Sequence, residues 1–77
     1  MINYTFLSLN SGSLDADIAT HSFETTGKIE LNFTQNFEIT QFIIDFQAEH
    51  LDALENLFCK AYLRIKTIKE LMENNGR

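Results

Sequence analysis

With 77 residues, 44% of them apolar and seven phenylalanines, the chain is too hydrophobic for a disordered or low-complexity segment and long enough for one small domain. A single cysteine excludes an internal disulfide framework and a cysteine-built zinc site, and it fits a reducing compartment. Net charge is −5, with nine acidic residues against Lys28 alone through Cys59, and five basic residues against Glu70 and Glu73 from Lys60 onward, a balance that disfavours general nucleic-acid binding.

Met1 to Thr5 lacks the basic start and long apolar core of a signal peptide, and no apolar run approaches the roughly 20 residues that span a bilayer. A cytoplasmic protein without membrane contact is the expectation. Ile2 to Leu9 is rich in strand formers and ends at the turn cluster Asn10-Ser11-Gly12-Ser13, so a first strand is expected there. Leu14 to Thr20 is weakly patterned. In Lys28 to Thr34, apolar and polar residues alternate strictly, the mark of a half-buried strand.

Ala19, His21 and Phe23 alternate upstream of that strand. A three-residue loop, Thr25-Thr26-Gly27, would place Gly27 in the left-handed conformation that such hairpins favour. That register sets Glu24 opposite Lys28, Phe23 opposite Ile29, His21 opposite Leu31 and Ala19 opposite Phe33. Phe37 to Phe46 has strand composition, and a second three-residue loop would pair Phe33 with Ile39 and Ile29 with Ile43. Ile39, Phe42, Ile43 and Phe46 also fit helical spacing, so the segment reads as a strand or as the start of the helix that follows.

That helix is the strongest signal in the chain. Leu51, Leu54, Phe58, Ala61, Ile65, Ile68 and Met72 follow one another in alternating steps of three and four, the a/d spacing of helix-on-helix packing. Asp45 is its expected cap, and Asn74-Asn75-Gly76 its stop, with Gly76 as the left-handed residue. From Phe46 to Glu73 the helix would run roughly 42 Å, against about 30 Å for a compact globule of this size. With Leu57, Tyr62 and Leu71 added, its apolar arc widens to about 180°, whereas resting on one sheet needs only about 100°. On the opposite face Cys59 and Leu63 lie one turn apart among polar residues, a candidate docking spot.

Other chemistry is poorly supported. His21 and His50, with Asp45 or Glu49, match no metal-ligand spacing. Cys59 sits mid-helix beside Glu55, which disfavours a thiolate. The carboxylate pairs Asp45-Glu49 and Glu49-Asp52 have solvated helical spacings with nothing to desolvate an acid. Gly12 and Gly27 are lone glycines rather than a phosphate-cradling loop, and Ser11, Ser13 and Ser22 lack a nucleophile elbow.

The sequence therefore predicts a single α+β domain over 1–77. A small antiparallel β-meander of three to four strands (about 2–44) precedes one long C-terminal amphipathic helix (about 46–73). The expected role is non-catalytic, with no cofactor and no metal. The expected partners are a second copy, held through Leu54, Leu57, Phe58, Ala61, Ile65, Ile68 and Met72, and another protein that the module binds or inhibits. Charge along the helix favours antiparallel over parallel pairing. Two alternatives accompany this reading. One is a phage-type anti-defence inhibitor occluding a basic nucleic-acid-binding surface, by analogy of size and charge. The other is a small-molecule or peptide binder whose sheet–helix groove is lined by Phe6, Phe33 and Phe42, with His21 supplying polarity.

Overall fold

A computed structural model describes Met1–Asn75. Its elements are β1 (Asp15–Ser22), β2 (Thr26–Gln35), β3 (Glu38–Gln47), a 3-10 turn (Ala48–His50) and α1 (Leu51–Asn75). The strands form one antiparallel meander in the order β1-β2-β3, so the fold is α+β as the sequence predicts. The chain divides into two compact units, Met1–Phe46 and Gln47–Arg77. Of the segment Phe37 to Phe46, everything from Glu38 onward is strand rather than helix, and Phe37 belongs to the turn before it.

The first hairpin forms where expected but three residues out of register. Lys28 faces His21 rather than Glu24, and Ile29, Leu31 and Phe33 face Thr20, Ile18 and Ala16. A shift by an odd number exchanges the faces of β1. Ala16, Ile18 and Thr20 therefore join the apolar side, while Ala19 and His21 turn to the other. The chain reverses over Glu24-Thr25, with the Phe23 N–H donating to the Thr26 carbonyl at 2.8 Å. His21 instead lies near Glu30, its Nε2 3.9 Å from a carboxylate oxygen, and Phe23 is exposed.

Gly27 explains the shift. It is not a left-handed turn residue, since Gly12 is the glycine with positive φ among the described residues. Gly27 is a strand residue of β2, opposite Ser22. A Cβ built on it would lie 2.5 Å from Cζ of Phe46 and 3.0 Å from the His21 carbonyl oxygen. The ring of Phe46 occupies the space that any side chain would need. Glycine is required here for close approach, not for backbone freedom.

The second hairpin also departs from expectation. Asn36 and Phe37 have φ of 54° and 66°, the two consecutive positive values that a type I′ two-residue turn requires. A two-residue turn sets Asn32 opposite Gln41, whose side chains are hydrogen-bonded at 2.8 Å, and brings Phe46 over Gly27. Thr40, Phe42, Ile44 and Phe46 are then half-buried on the apolar side, while Ile39, Gln41, Ile43 and Asp45 are exposed. Phe33 pairs diagonally with Phe42, ring centroids 6.0 Å apart and nearly perpendicular. Ile39 and Ile43, expected on this apolar side, lie on the other.

Residues Ile2 to Leu9 are not a strand. The end of this segment is tied to β2 by one side chain: Gln35 Oε1 accepts from the Asn10 N–H at 2.9 Å, and Gln35 Nε2 donates to the Asn10 carbonyl at 2.8 Å. The amide thus supplies both halves of a strand-like exchange without a partner strand. Ile2, Tyr4 and Phe6 remain exposed.

The helix begins close to the expected place, with a different cap. Asp45 belongs to β3, and the N–H of Gln47 donates to Nδ1 of His50 at 3.1 Å. Imidazole therefore satisfies a backbone donor at the start of the helix, a role akin to the third-position residue of a capping box. α1 then runs unbroken for 25 residues, about 37 Å at 1.5 Å per residue. The predicted stop at Gly76 lies outside the described residues.

Two substitutions check this account. Phe37, fully exposed at positive φ, pays the left-handed penalty without packing in return. Phe37→Gly should therefore raise unfolding free energy by roughly 1 kcal/mol in urea titration, Asn-Gly being a preferred type I′ pair. Gly27→Ala should lower it by roughly 1–2 kcal/mol, because the Phe46 ring must move.

Candidate interaction surface

Helical geometry lays Leu54, Leu57, Phe58, Ala61, Ile65, Ile68 and Met72 along one side of α1, joined by Tyr62 and Leu71. No residue of α1 is buried. Leu54, Phe58 and Ala61 are half-buried, but Leu57, Ile65, Ile68 and Leu71 are exposed, Ile65 to 64% and Met72 to 70%. The apolar face is thus most open along the C-terminal half of the helix.

Cys59 and Leu63 are both exposed on α1, one turn apart. The next turn is fastened by Thr67, whose hydroxyl donates to the Leu63 carbonyl at 3.0 Å. Leu63 offers a single exposed apolar side chain beside a free thiol, a far smaller feature than the opposite face.

The residues singled out for other chemistry do not converge. His50 Nδ1 is engaged by the Gln47 N–H, and its Nε2 lies 3.9 Å from Glu49, the neighbouring residue. His21 belongs to the other unit, beside Glu30 on the polar side of the sheet. Among the described residues no three His, Cys, Asp or Glu side chains gather to hold a metal. The four residues expected to line a sheet–helix groove, Phe6, Phe33, Phe42 and His21, all belong to the strand unit. Phe33 and Phe42 share the apolar side of the sheet, His21 points from the opposite side, and Phe6 is 83% exposed.

Two depressions occur in the strand unit. One of about 90 Å³ lies between Leu7, Leu9, Asn10 and the Phe33, Gln35 and Thr40 side of the sheet. It is well below the roughly 300 Å³ at which ligand pockets begin. The other, about 320 Å³, is a shallow, open recess lined by Ser13, Asp15, Thr34, Gln35, Asn36 and Phe37.

Sequence reasoning missed one apolar feature, the outward Ile39 and Ile43 of β3, exposed to 74% and 51%. Asn36 was the available signal: asparagine tolerates the left-handed conformation, so it favours a two-residue turn over a three-residue loop. No helix among the described residues is long and apolar enough to cross a membrane. Comparison of the chain with protein-family models, curated proteins and solved structures returns no match.

Leu63→Asp separates the two sides of α1. It should leave the helical circular dichroism signal and any self-association through the opposite side unchanged, while abolishing capture of any partner that docks on Cys59 and Leu63.

Proposed function

We propose that this protein is a non-catalytic interaction module that pairs with a second copy through α1 and uses its acidic strand unit to bind another protein. The observation carrying the first half is the exposure of Leu57, Ile65, Ile68, Leu71 and Met72 on one continuous helical face. Burying what remains exposed of each is worth on the order of 1 kcal/mol, at 1.5–3 kcal/mol for a fully buried large apolar side chain. Two copies together gain about 10 kcal/mol, comparable with the 4–15 kcal/mol that association costs in lost freedom. A two-fold pair is the simplest closed arrangement that hides such a face on every chain.

Charge supports the second half. From Met1 to Phe46 the chain carries Asp15, Asp17, Glu24, Glu30, Glu38 and Asp45 against Lys28 alone, and all of these acidic residues except Glu30 are exposed. A field of one sign steers binding toward a partner of the other, and a basic protein surface is the chemistry it fits. Occlusion of a basic nucleic-acid channel, as by a phage-type inhibitor, is one form such binding takes.

Light scattering at tens of micromolar should give twice the chain mass for the native protein. Ile65→Asp, which places a charge within the exposed face, should give the monomer mass with the strand unit still folded. A native monomer at that concentration removes the reading. Binding to the basic partner should weaken steeply as salt rises from about 0.05 to 0.5 M, because the Debye length shortens severalfold.

A further inference from the structure

We infer that the two copies pair through α1 in antiparallel orientation and in one register, with Glu55 of each chain beside Lys69 of the other. This rests on the reading that α1 is a self-association surface and adds its geometry. The inference uses α1 alone, an unbroken helix whose a and d positions are Leu51, Leu54, Phe58, Ala61, Ile65, Ile68 and Met72. The side chains that flank such a seam, at the e and g positions, decide orientation. Within α1 the e positions are Glu55, Tyr62 and Lys69, and the g positions are Leu57, Arg64 and Leu71.

In a parallel pair each g residue meets the e residue five positions later on the other chain. Arg64 would then face Lys69 twice over, and Leu57 would face Tyr62. In an antiparallel pair, e residues meet e residues and g residues meet g residues. Two antiparallel registers put a positions against d positions in three layers, one leaving Met72 uncovered and the other Leu51. Only one of them covers Leu54 through Met72: Leu54 packs on Met72, Phe58 on Ile68 and Ala61 on Ile65, each contact occurring twice. That register sets Glu55 beside Lys69 on one flank, again twice, and Leu57 beside Leu71 on the other. It also brings the two Arg64 side chains near the two-fold axis, where their length lets them diverge into water.

The alternatives form no opposite-charge pair on either flank. Sliding the partner one heptad towards the N-terminus puts Leu57 against Arg64 and leaves Met72 uncovered. Sliding it the other way uncovers Leu54 and Phe58. The chosen register is the one that pairs Glu55 with Lys69 while covering Leu54 through Met72, with Leu51 and the Arg64 pair left at its margins.

Disulfide trapping tests this in a Cys59→Ser background, which removes the exposed native thiol. Leu54→Cys and Met72→Cys chains are mixed and equilibrated with oxidised glutathione, and products are resolved by mass. The expected product is the mixed Leu54→Cys/Met72→Cys species. A dimer by light scattering in which Met72→Cys links mainly to itself overturns the antiparallel register but leaves self-association standing. A monomer mass for the Cys59→Ser chain overturns both.

Charge reversal gives an independent readout. Glu55→Lys should weaken the dimer by about tenfold, two surface-pair attractions becoming repulsions, and Lys69→Glu added to it should restore most of the loss. Equal weakening by the single and double variants, with helical content retained, overturns the Glu55–Lys69 contact.

Discussion

Hydrophobic surface left in contact with water is the constraint on which this protein turns. Among the described residues Gly27 is the only buried one, and no large apolar side chain reaches the interior. A composition that is 44% apolar would ordinarily supply a core. Here the same side chains form faces: one side of a three-stranded sheet and one side of a helix. Each exposed face raises the free energy of the isolated chain in proportion to its area, and a partner that covers it lowers that energy by the same measure. The interaction role proposed above rests on this exposed surface more than on any individual residue.

Within the strand unit, the approach of Phe46 to Gly27 fixes the arrangement. The aromatic ring lies over a strand position where a methyl group would collide with it, so β2 and β3 lock in the one register that matches ring and gap. The two-residue turn at Asn36-Phe37 imposes the same register from the other end. Together they decide that Phe42, Ile44 and Phe46 share the apolar side and that Ile39 and Ile43 do not. A strand has a two-residue period, so a slip of one would reverse every one of these assignments. The positive φ at Phe37, a residue ill suited to it, is the local cost of that agreement.

The helix obeys a different logic. Its start is set by a backbone donor at Gln47 that finds the imidazole of His50, which gives that histidine a structural role where a metal or catalytic one could be imagined. Its length exceeds what a three-stranded sheet needs. Its charges run from Asp52 and Glu55 to Lys60, Arg64, Lys66 and Lys69, following the helix dipole over those turns until Glu70 and Glu73 reverse the trend. The same gradient distinguishes the two directions in which a second helix could lie, so the feature that steadies the helix alone would also bias the pairing proposed above.

The periodicity of the sequence by itself determined the helix, its apolar side and the existence of β2, because these depend on repeats of 3.6 and 2 that a chain carries locally, whereas Phe37 to Phe46 fitted both repeats and only its composition favoured a strand. Strand register was not legible. A glycine reads alike whether it supplies a left-handed turn or a gap for a ring nineteen positions away, and only tertiary packing showed that Gly27 does the second. Nor could Ile2 to Leu9 be recognised as irregular. Its composition is that of a strand, but a strand needs an edge to pair with, and in the folded chain that segment is held at its end by the Gln35 amide instead. Local pattern fixes what an element can be, and contacts distant in sequence decide which neighbour it meets and which face it shows.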